Sequence, residues 1–319
     1  MYIMTVLSPL PIAAYEAAPF AQLTDAQLRA IVMKHSLAVD TPPASLPTNG
    51  VVHALWSLGS QYVLRVPKNE TMCIGDLRAE VAAIPVALAS GVRTPALIAF
   101  SEERDIIEVP YTIVERVNGV DLSTFAPTDP ALGELYRQLG HQLAMLHSAP
   151  LPAPHPSFRN IERSDTEALL VDTLAAGLLG DRAVAWFGSL LNDLAHPDAE
   201  TCFVHNDMKP DNLMVNELGK LVVIDWGDAG FTDPATDFCT LPLAAAAQTL
   251  DGYREAGGAT GDDGLEQRFV RLAIGNAIYG LRRTPDTGPS WYRPVAAHLS
   301  DLLLFATDQP NVWQRWINR

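Results

Sequence analysis

His205, Asp207, Lys209, Asn212 and Asp225 are the residues of this chain whose types and spacing could do chemistry. They lie in His205-Asn206-Asp207-Met208-Lys209-Pro210-Asp211-Asn212-Leu213-Met214-Val215 and in Ile224-Asp225-Trp226-Gly227. Thr201 to Val204 reads as an apolar strand entering the first run, and Asn212 to Val215 as a strand leaving it. Asn216 to Gly219 is turn-forming, and Lys220 to Ile224 returns as a second strand. A hairpin centred near 217–218 sets Asn212 opposite Val223 or Ile224, next to Asp225. An amide oxygen and a carboxylate then meet at the open end of the hairpin. That is a site for Mg²⁺, a hard cation that takes oxygen ligands and shares them with phosphate. Each of these residues alone would read as a turn residue or a strand-end cap. Together, with Lys209, they can grip a metal-bound nucleoside triphosphate.

The elements that must position them divide the chain at about residue 115. Before it, Thr24-Asp25-Ala26-Gln27 is a capping box, with Leu23 and Leu28 placed as a hydrophobic staple, and predicts a helix to about Leu37. The Pro-rich stretch from Asp40 to Pro47 ends it. Val51 to Trp56 and Gln61 to Val66 read as strands around the Gly59-Ser60 turn. Asp76 can cap a helix running to Ser90, with Pro85 inside it as a kink point. Residues 96–101 and 106–115 read as two more strands. Beyond, Leu132, Leu135, Leu139, Leu143 and Leu146 share a helical face. A Pro-rich loop at 150–156 follows, then helices near 165–180 and 182–195. After the catalytic region come helices near 240–256, 264–283 and 291–307. The expectation is an α+β fold: a small antiparallel-sheet lobe with an N-terminal arm over residues 1–115, and a larger, mainly helical lobe over 116–319.

Composition narrows the partners. With 319 residues, 48% hydrophobic and 18% charged, this is ordinary globular material. The net charge of −15 argues against nucleic acid. It is compatible with a cationic substrate, and it also aids solubility. Cys73, Cys202 and Cys239 are widely spaced and odd in number, which fits a reducing cytoplasm rather than a disulfide framework. The apolar first twenty residues lack a basic start, contain prolines and are interrupted by Glu16, so they read as an irregular arm. No apolar run reaches membrane-spanning length.

The motif H-x-D-x-K-x-x-N followed by D-x-G resembles the catalytic and metal-binding loops of protein kinases and of the aminoglycoside phosphotransferases, small-molecule kinases with a protein-kinase-like, two-lobed fold. The resemblance covers about residues 45–245 and is densest over 203–238. It implies a catalytic role for Asp207, metal ligation by Asn212 and Asp225, and a structural role for His205, tying the two loops together. Lys209 would neutralise the transferring phosphate. Trp226 replaces the usual Phe. Tyr62-Val63-Leu64-Arg65-Val66-Pro67 sits where kinases carry V-A-I-K, so Arg65 takes the place of the phosphate-binding Lys, as in many relatives of the antibiotic kinases. Glu80 is the candidate ion-pair partner, with Glu102, Glu103 and Glu108 as rivals. The glycine-rich loop is reduced to Thr48-Asn49-Gly50-Val51-Val52, where amides around Asn49 and Gly50 could cover a phosphate or form an ordinary turn. Backbone groups near Glu115 and Val117 match the hinge that binds the base of ATP, or of GTP.

Asp233-Pro234-Ala235-Thr236-Asp237-Phe238 resembles the D-P-x-x-D-[LF] segment of the aminoglycoside phosphotransferases, in which Asp237 would brace the catalytic loop. There is no A-P-E and no room for a protein-kinase activation segment, which points to a small-molecule hydroxyl acceptor. Nine acidic residues and one basic residue between 225 and 266 could line a pocket for an amine-bearing sugar or macrolide, or form a solvated face. Trp291, Tyr292, Trp313 and Trp316 could wall a pocket or pack a core. Metabolite alcohols such as choline or homoserine are equally compatible acceptors. Two rival readings remain: an atypical protein kinase, and a non-catalytic nucleotide-binding scaffold.

Overall fold

The computed structural model describes residues 18–47, 50–160, 165–194, 199–260, 262, 264–281 and 297–317. The capping box is formed: Thr24 Oγ1 accepts from the Gln27 amide while Gln27 Oε1 accepts from the Thr24 amide. It starts helix α1 (Asp25–Lys34), which buries Leu28 and Ile31. Lys34 closes the helix by reaching Ser101, Glu103 and Asp105. The arm before residue 18 lies outside the described residues.

The small lobe is a five-stranded sheet of β1 (Ala44–Leu46), β2 (His53–Leu58), β3 (Tyr62–Pro67), β4 (Leu97–Ser101) and β5 (Tyr111–Glu115), in the order β1-β2-β3-β5-β4. All its pairings are antiparallel. β1 falls inside the Pro-rich stretch that ends α1; its own three residues contain no proline, Pro43 and Pro47 standing on either side, and it forms an edge of the sheet. Leu58, Leu64, Val66 and Ile113 point inward with Leu28 and Ile31 of α1 and make this lobe's own core. Helix α2 (Thr71–Ala89) follows β3. It starts five residues before the cap expected at Asp76, which stands inside the helix, and Pro85 does not interrupt it.

The second core is larger and mainly helical. Helices α3 (Ala131–Ser148), α4 (Thr166–Ala175) and α5 (Asp181–Asp193) precede the catalytic region. α6 (Thr236–Cys239), α7 (Leu243–Glu255), α8 (Leu265–Gly280), α9 (Ala297–Asp308) and α10 (Pro310–Ile317) follow it. On the leucine face of α3, Leu135, Leu139, Leu143 and Leu146 are buried and Leu132 is half-buried. α3 and α7 approach backbone to backbone at two glycines. A Cβ on Gly140 would stand 2.1 Å from the Thr249 carbonyl oxygen, and one on Gly252 2.2 Å from that of Arg137. Trp313 and Trp316 are core residues, with Trp316 stacked on Phe305; Trp291 and Tyr292 lie outside the described residues.

Two small sheets carry the site. β6 (Gly119–Asp121), β9 (Leu213–Asn216) and β10 (Leu221–Val223) form one. β7 (Arg159–Asn160), β8 (Cys202–Val204) and β11 (Gly230–Thr232) form the other. Among the described residues, no helix is long and apolar enough to cross a membrane.

Asp233 fixes the segment after β11 to α8 through a buried pair, its Oδ2 2.8 Å from Arg268 Nε. Arg268 also grips Asp262 with both terminal nitrogens. Removing the guanidinium takes the ion-pair partner from a carboxylate that is almost fully buried. Arg268→Ala should therefore destabilise the protein by about 3–5 kcal/mol in a urea unfolding titration.

Candidate active site

The hairpin takes the register expected from its turn. Val215 pairs with Leu221, Leu213 with Val223, and the Ile224 amide donates to the Asn212 carbonyl at 3.0 Å. Asn212 and Asp225 are thereby adjacent at its open end. Asp225 and Asn206 both adopt left-handed backbone conformations, with φ of 68° and 67°. Such strain in non-glycine residues needs surroundings that impose it.

Asp237 is much of what imposes it on the catalytic loop. Its buried carboxylate accepts from the His205 amide at 3.0 Å, the Asn206 amide at 2.6 Å and His147 Nε2 of α3 at 3.0 Å. Burial opposes its charge, but His147 and these amides bring its pKa below the usual carboxylate value. Thr240 Oγ1 adds a bond to the Met208 carbonyl. His205 makes contacts to both loops. Its Nε2 is 2.9 Å from the Ile224 carbonyl, which can only accept, so Nε2 carries the proton. Nδ1 is then free to accept from the Asp207 amide at 3.2 Å. Its ring meets buried Trp226 edge-on, and Trp226 Nε1 donates to Thr94.

Asp207 gathers the next group. Asn212 Nδ2 donates to its carbonyl at 2.8 Å and to Oδ2 at 2.9 Å. Both partners are acceptors, which fixes the amide orientation and leaves Asn212 Oδ1 for a cation. Lys209 Nζ lies 2.5 Å from Asp207 Oδ2. Burial raises the pKa of Asp207 even against the pull of Lys209, making it a better proton acceptor than an ordinary Asp. Among the described residues no group of three or more His, Cys, Asp or Glu could hold a metal alone. Asn212 Oδ1 and the Asp225 carboxylate are nevertheless hard oxygen donors of the kind that suit Mg²⁺.

Arg65 reaches across the cleft to this floor. Its Nη2 is 2.9 Å from Asp225 Oδ1, and its Nε is 3.1 Å from Glu80 Oε2 of α2 in an ion pair not aligned as a hydrogen bond. Glu80 is thus the partner. Its rivals are used elsewhere or lie at the surface: Glu102 holds Arg78, Glu103 holds Lys34, and Glu108 is exposed. Burial pushes Glu80 up to about 7, while Arg65 holds Asp225 well below the usual range in spite of burial. Beside this cluster a cavity of about 350 Å³ is lined by Leu55 and Val63 of the sheet lobe, by Met214 and Ile224 of the hairpin, and by Glu115 and Val117. A flat aromatic base fits such walls. Gly50 is exposed in the turn before β2; Asn49 lies outside the described residues.

Several side chains at the site carried no sequence signal. Asp76, one turn before Glu80, pairs with Arg159 of β7, and Arg159 Nη2 lies 3.4 Å from Asp228 Oδ1. Burial and the Asp228 charge push Asp76 up to about 7. A Cβ on Gly227 would stand 3.1 Å from that of Asp76, so the glycine after Trp226 lets α2 approach. His53 touches Arg65, with Nδ1 3.2 Å from Nη2. The acidic run does not form one pocket. Asp233 and Asp262 are held by Arg268, Glu266 by Arg254 and Glu255 by Arg137. Asp251 and Trp316 do border a separate cavity of about 490 Å³ among α7 to α10. Asp263 lies outside the described residues.

A sheet lobe, a helical lobe and a cleft joined by Arg65, with Asp207, Asn212 and Asp225 on its floor, define a kinase-like phosphotransferase. The chain belongs to the phosphotransferase enzyme family, whose profile matches residues 44–270. Its fold is shared by the streptomycin–ATP ternary complex of APH(2")-IIa at 16% identity and TM-score 0.54, covering 82% of this chain and 91% of that one. Macrolide 2'-phosphotransferase type I matches at 17% identity and TM-score 0.56, covering 93% and 96%. A choline/ethanolamine kinase family protein from Mesorhizobium loti matches at 20% identity and TM-score 0.52, covering 90% and 86%. A comparison of the sequence with curated proteins finds no match.

Because Asp237 is held below its unfolded pKa, its contribution to stability is complete above about pH 5 and is lost as pH falls through the folded value. Asp237→Asn should lower the melting temperature at neutral pH. It should also flatten the decline between pH 5 and pH 2, approximately the span over which a depressed Asp titrates. Thermal melts across that range check both.

Proposed function

We propose that this protein transfers the γ-phosphoryl group of Mg²⁺-ATP, or of GTP, to a hydroxyl of a small molecule. One arrangement carries the reading: Asn212 joins Asp207 to the hairpin end where Asp225 sits, and Arg65 ties Asp225 to the cavity. Asp207 orients the acceptor hydroxyl and takes its proton. The acceptor oxygen bonds to the γ-phosphorus as the bond to the β,γ-bridging oxygen breaks. Arg65 and Lys209 spread the phosphate charge, and Asn212 and Asp225 would hold Mg²⁺, which would add further neutralisation of that charge. Backbone groups at Glu115 and Val117 would hold the base, and Gly50 would lie over the phosphates. Catalysis of this kind is mostly positioning and electrostatics. We assign residues 1–115 to the nucleotide side and 116–319 to the catalytic and acceptor side.

A small acceptor is supported by the short path from Asp225 through β11 to α6, which leaves no platform for a protein substrate. The family's structural neighbours include a streptomycin complex, a macrolide phosphotransferase and a choline/ethanolamine kinase family protein, so antibiotic and metabolite alcohols both belong in the test. Because most of the acidic run is cross-braced by arginines, we do not restrict the acceptor to cations. We place the protein in the reducing cytoplasm on its three unpaired cysteines.

Product mass shifts with Mg²⁺-ATP and Mg²⁺-GTP over aminoglycosides, macrolides and metabolite alcohols test the reaction. Asp207→Ala should lower turnover by at least about 10²-fold while nucleotide affinity stays near wild type; an equal loss of both would mean the carboxylate is misassigned. Asp225→Ala should abolish the Mg²⁺ dependence of nucleotide binding, and an unchanged metal titration would remove it from the site. The acid limb of the rate profile should lie above the usual Asp range. It should move further up in Lys209→Ala, because the ammonium stabilises the ionised base.

A further inference from the structure

An arginine at position 65 sets a hydrogen-bonding problem that a lysine would not. An ammonium has three donors on a freely turning head; a guanidinium has five in a rigid plane, each fixed in direction. Glu80 lies against Nε and Asp225 against Nη2. The second Nη2 direction is taken by His53 Nδ1 at 3.2 Å, and Nη1 makes no hydrogen bond among the described residues. The contact follows from strand register. Leu55 is the partner of Arg65 across β2 and β3, so His53, two residues earlier on β2, shares its face and is its diagonal neighbour.

The protonation of His53 is dictated by this neighbour. A guanidinium only donates, so Nδ1 must accept and the proton must sit on Nε2. The ring is 7% exposed, and burial and the Arg65 charge bring its pKa down to about 3, so it is neutral at working pH. Its Nε2 is buried without a hydrogen-bond partner. An apolar side chain of similar volume would avoid stranding that N–H. What the imidazole supplies that such a side chain cannot is the uncharged acceptor at Nδ1.

We infer that His53 is a positioning residue matched to Arg65: its Nδ1 fixes the plane of the guanidinium so that Nη1 is presented to the nucleotide phosphates. The inference rests on the reading that Arg65 meets those phosphates. A third carboxylate in this place would overload the site with negative charge, next to Asp225 and Glu80 and facing an anion. A neutral acceptor completes the fork without repelling the ligand.

A double-mutant cycle tests it, using titration of Mg²⁺-ADP into wild type, Arg65→Lys, His53→Leu and the double variant, with Arg65→Ala and His53→Gln alongside. His53→Leu should weaken binding about tenfold when Arg65 is present and less than about twofold in the Arg65→Lys background, a coupling within the range of contacting residues. His53→Gln, which can place an uncharged carbonyl acceptor near Nη2, should recover most of the loss. Equal losses in the wild-type and Arg65→Lys backgrounds would reduce His53 to packing and overturn the inference, as would no loss beside Arg65. Unchanged affinity in Arg65→Ala would instead remove the phosphate reading on which it rests.

Discussion

Arg65 is held by a carboxylate on each side of a cleft. Glu80 belongs to the helix that follows its own strand, and Asp225 lies at the end of a hairpin 160 residues away in sequence. Partly buried ion pairs add little net stability once the desolvation of both partners is counted. Their effect here is geometric. The guanidinium sets the distance between sheet lobe and hairpin, and α2 must lie where Glu80 can meet it. Gly227 and the Asp76–Arg159 contact then press the same helix against the segment that follows Asp225. The walls of the nucleotide-sized cavity follow from those three placements.

Beneath the cleft, a second hub works by hydrogen bonds rather than by opposed charges. Asp237 gathers two backbone amides of the catalytic loop and a histidine of α3. His205 continues the chain to the hairpin through one fixed tautomer. Asn212 closes the circuit by donating to Asp207 with one end of its amide and keeping the other for a cation. Each link fixes the protonation or orientation of the next, so the left-handed conformations at Asn206 and Asp225 have external support.

The hairpin and the catalytic run were legible in sequence because their chemistry is contiguous and strand pairing is periodic. Counting from the turn at 216–219 was enough to place Asn212 beside Asp225. The capping box at Thr24 was legible for the same local reason. Helix α2 was misplaced at its start because Asp76 looks like a cap, while the residue that occupies the cap position, Glu70, makes no side-chain capping bond. β1 was hidden by its length of three residues and by the prolines on either side of it. His53, Asp76 and Arg159 gave no sign of a place at the site, since each acquires it from a partner brought near by tertiary packing. The acidic run between 225 and 266 misled in the opposite direction: a surplus of carboxylates in sequence proved to be largely paired in space, with arginines outside the window or at its middle.

The two glycines at which α3 and α7 touch bear on how the molecule moves. Helices in backbone contact cannot slide past one another without a clash, so the pair behaves as a single beam. That beam carries His147, and through it Asp237 and the catalytic loop. The site therefore has an anvil. Opening and closing that admits substrate and releases product then falls to the sheet lobe, with the catalytic loop tied to the beam beneath it.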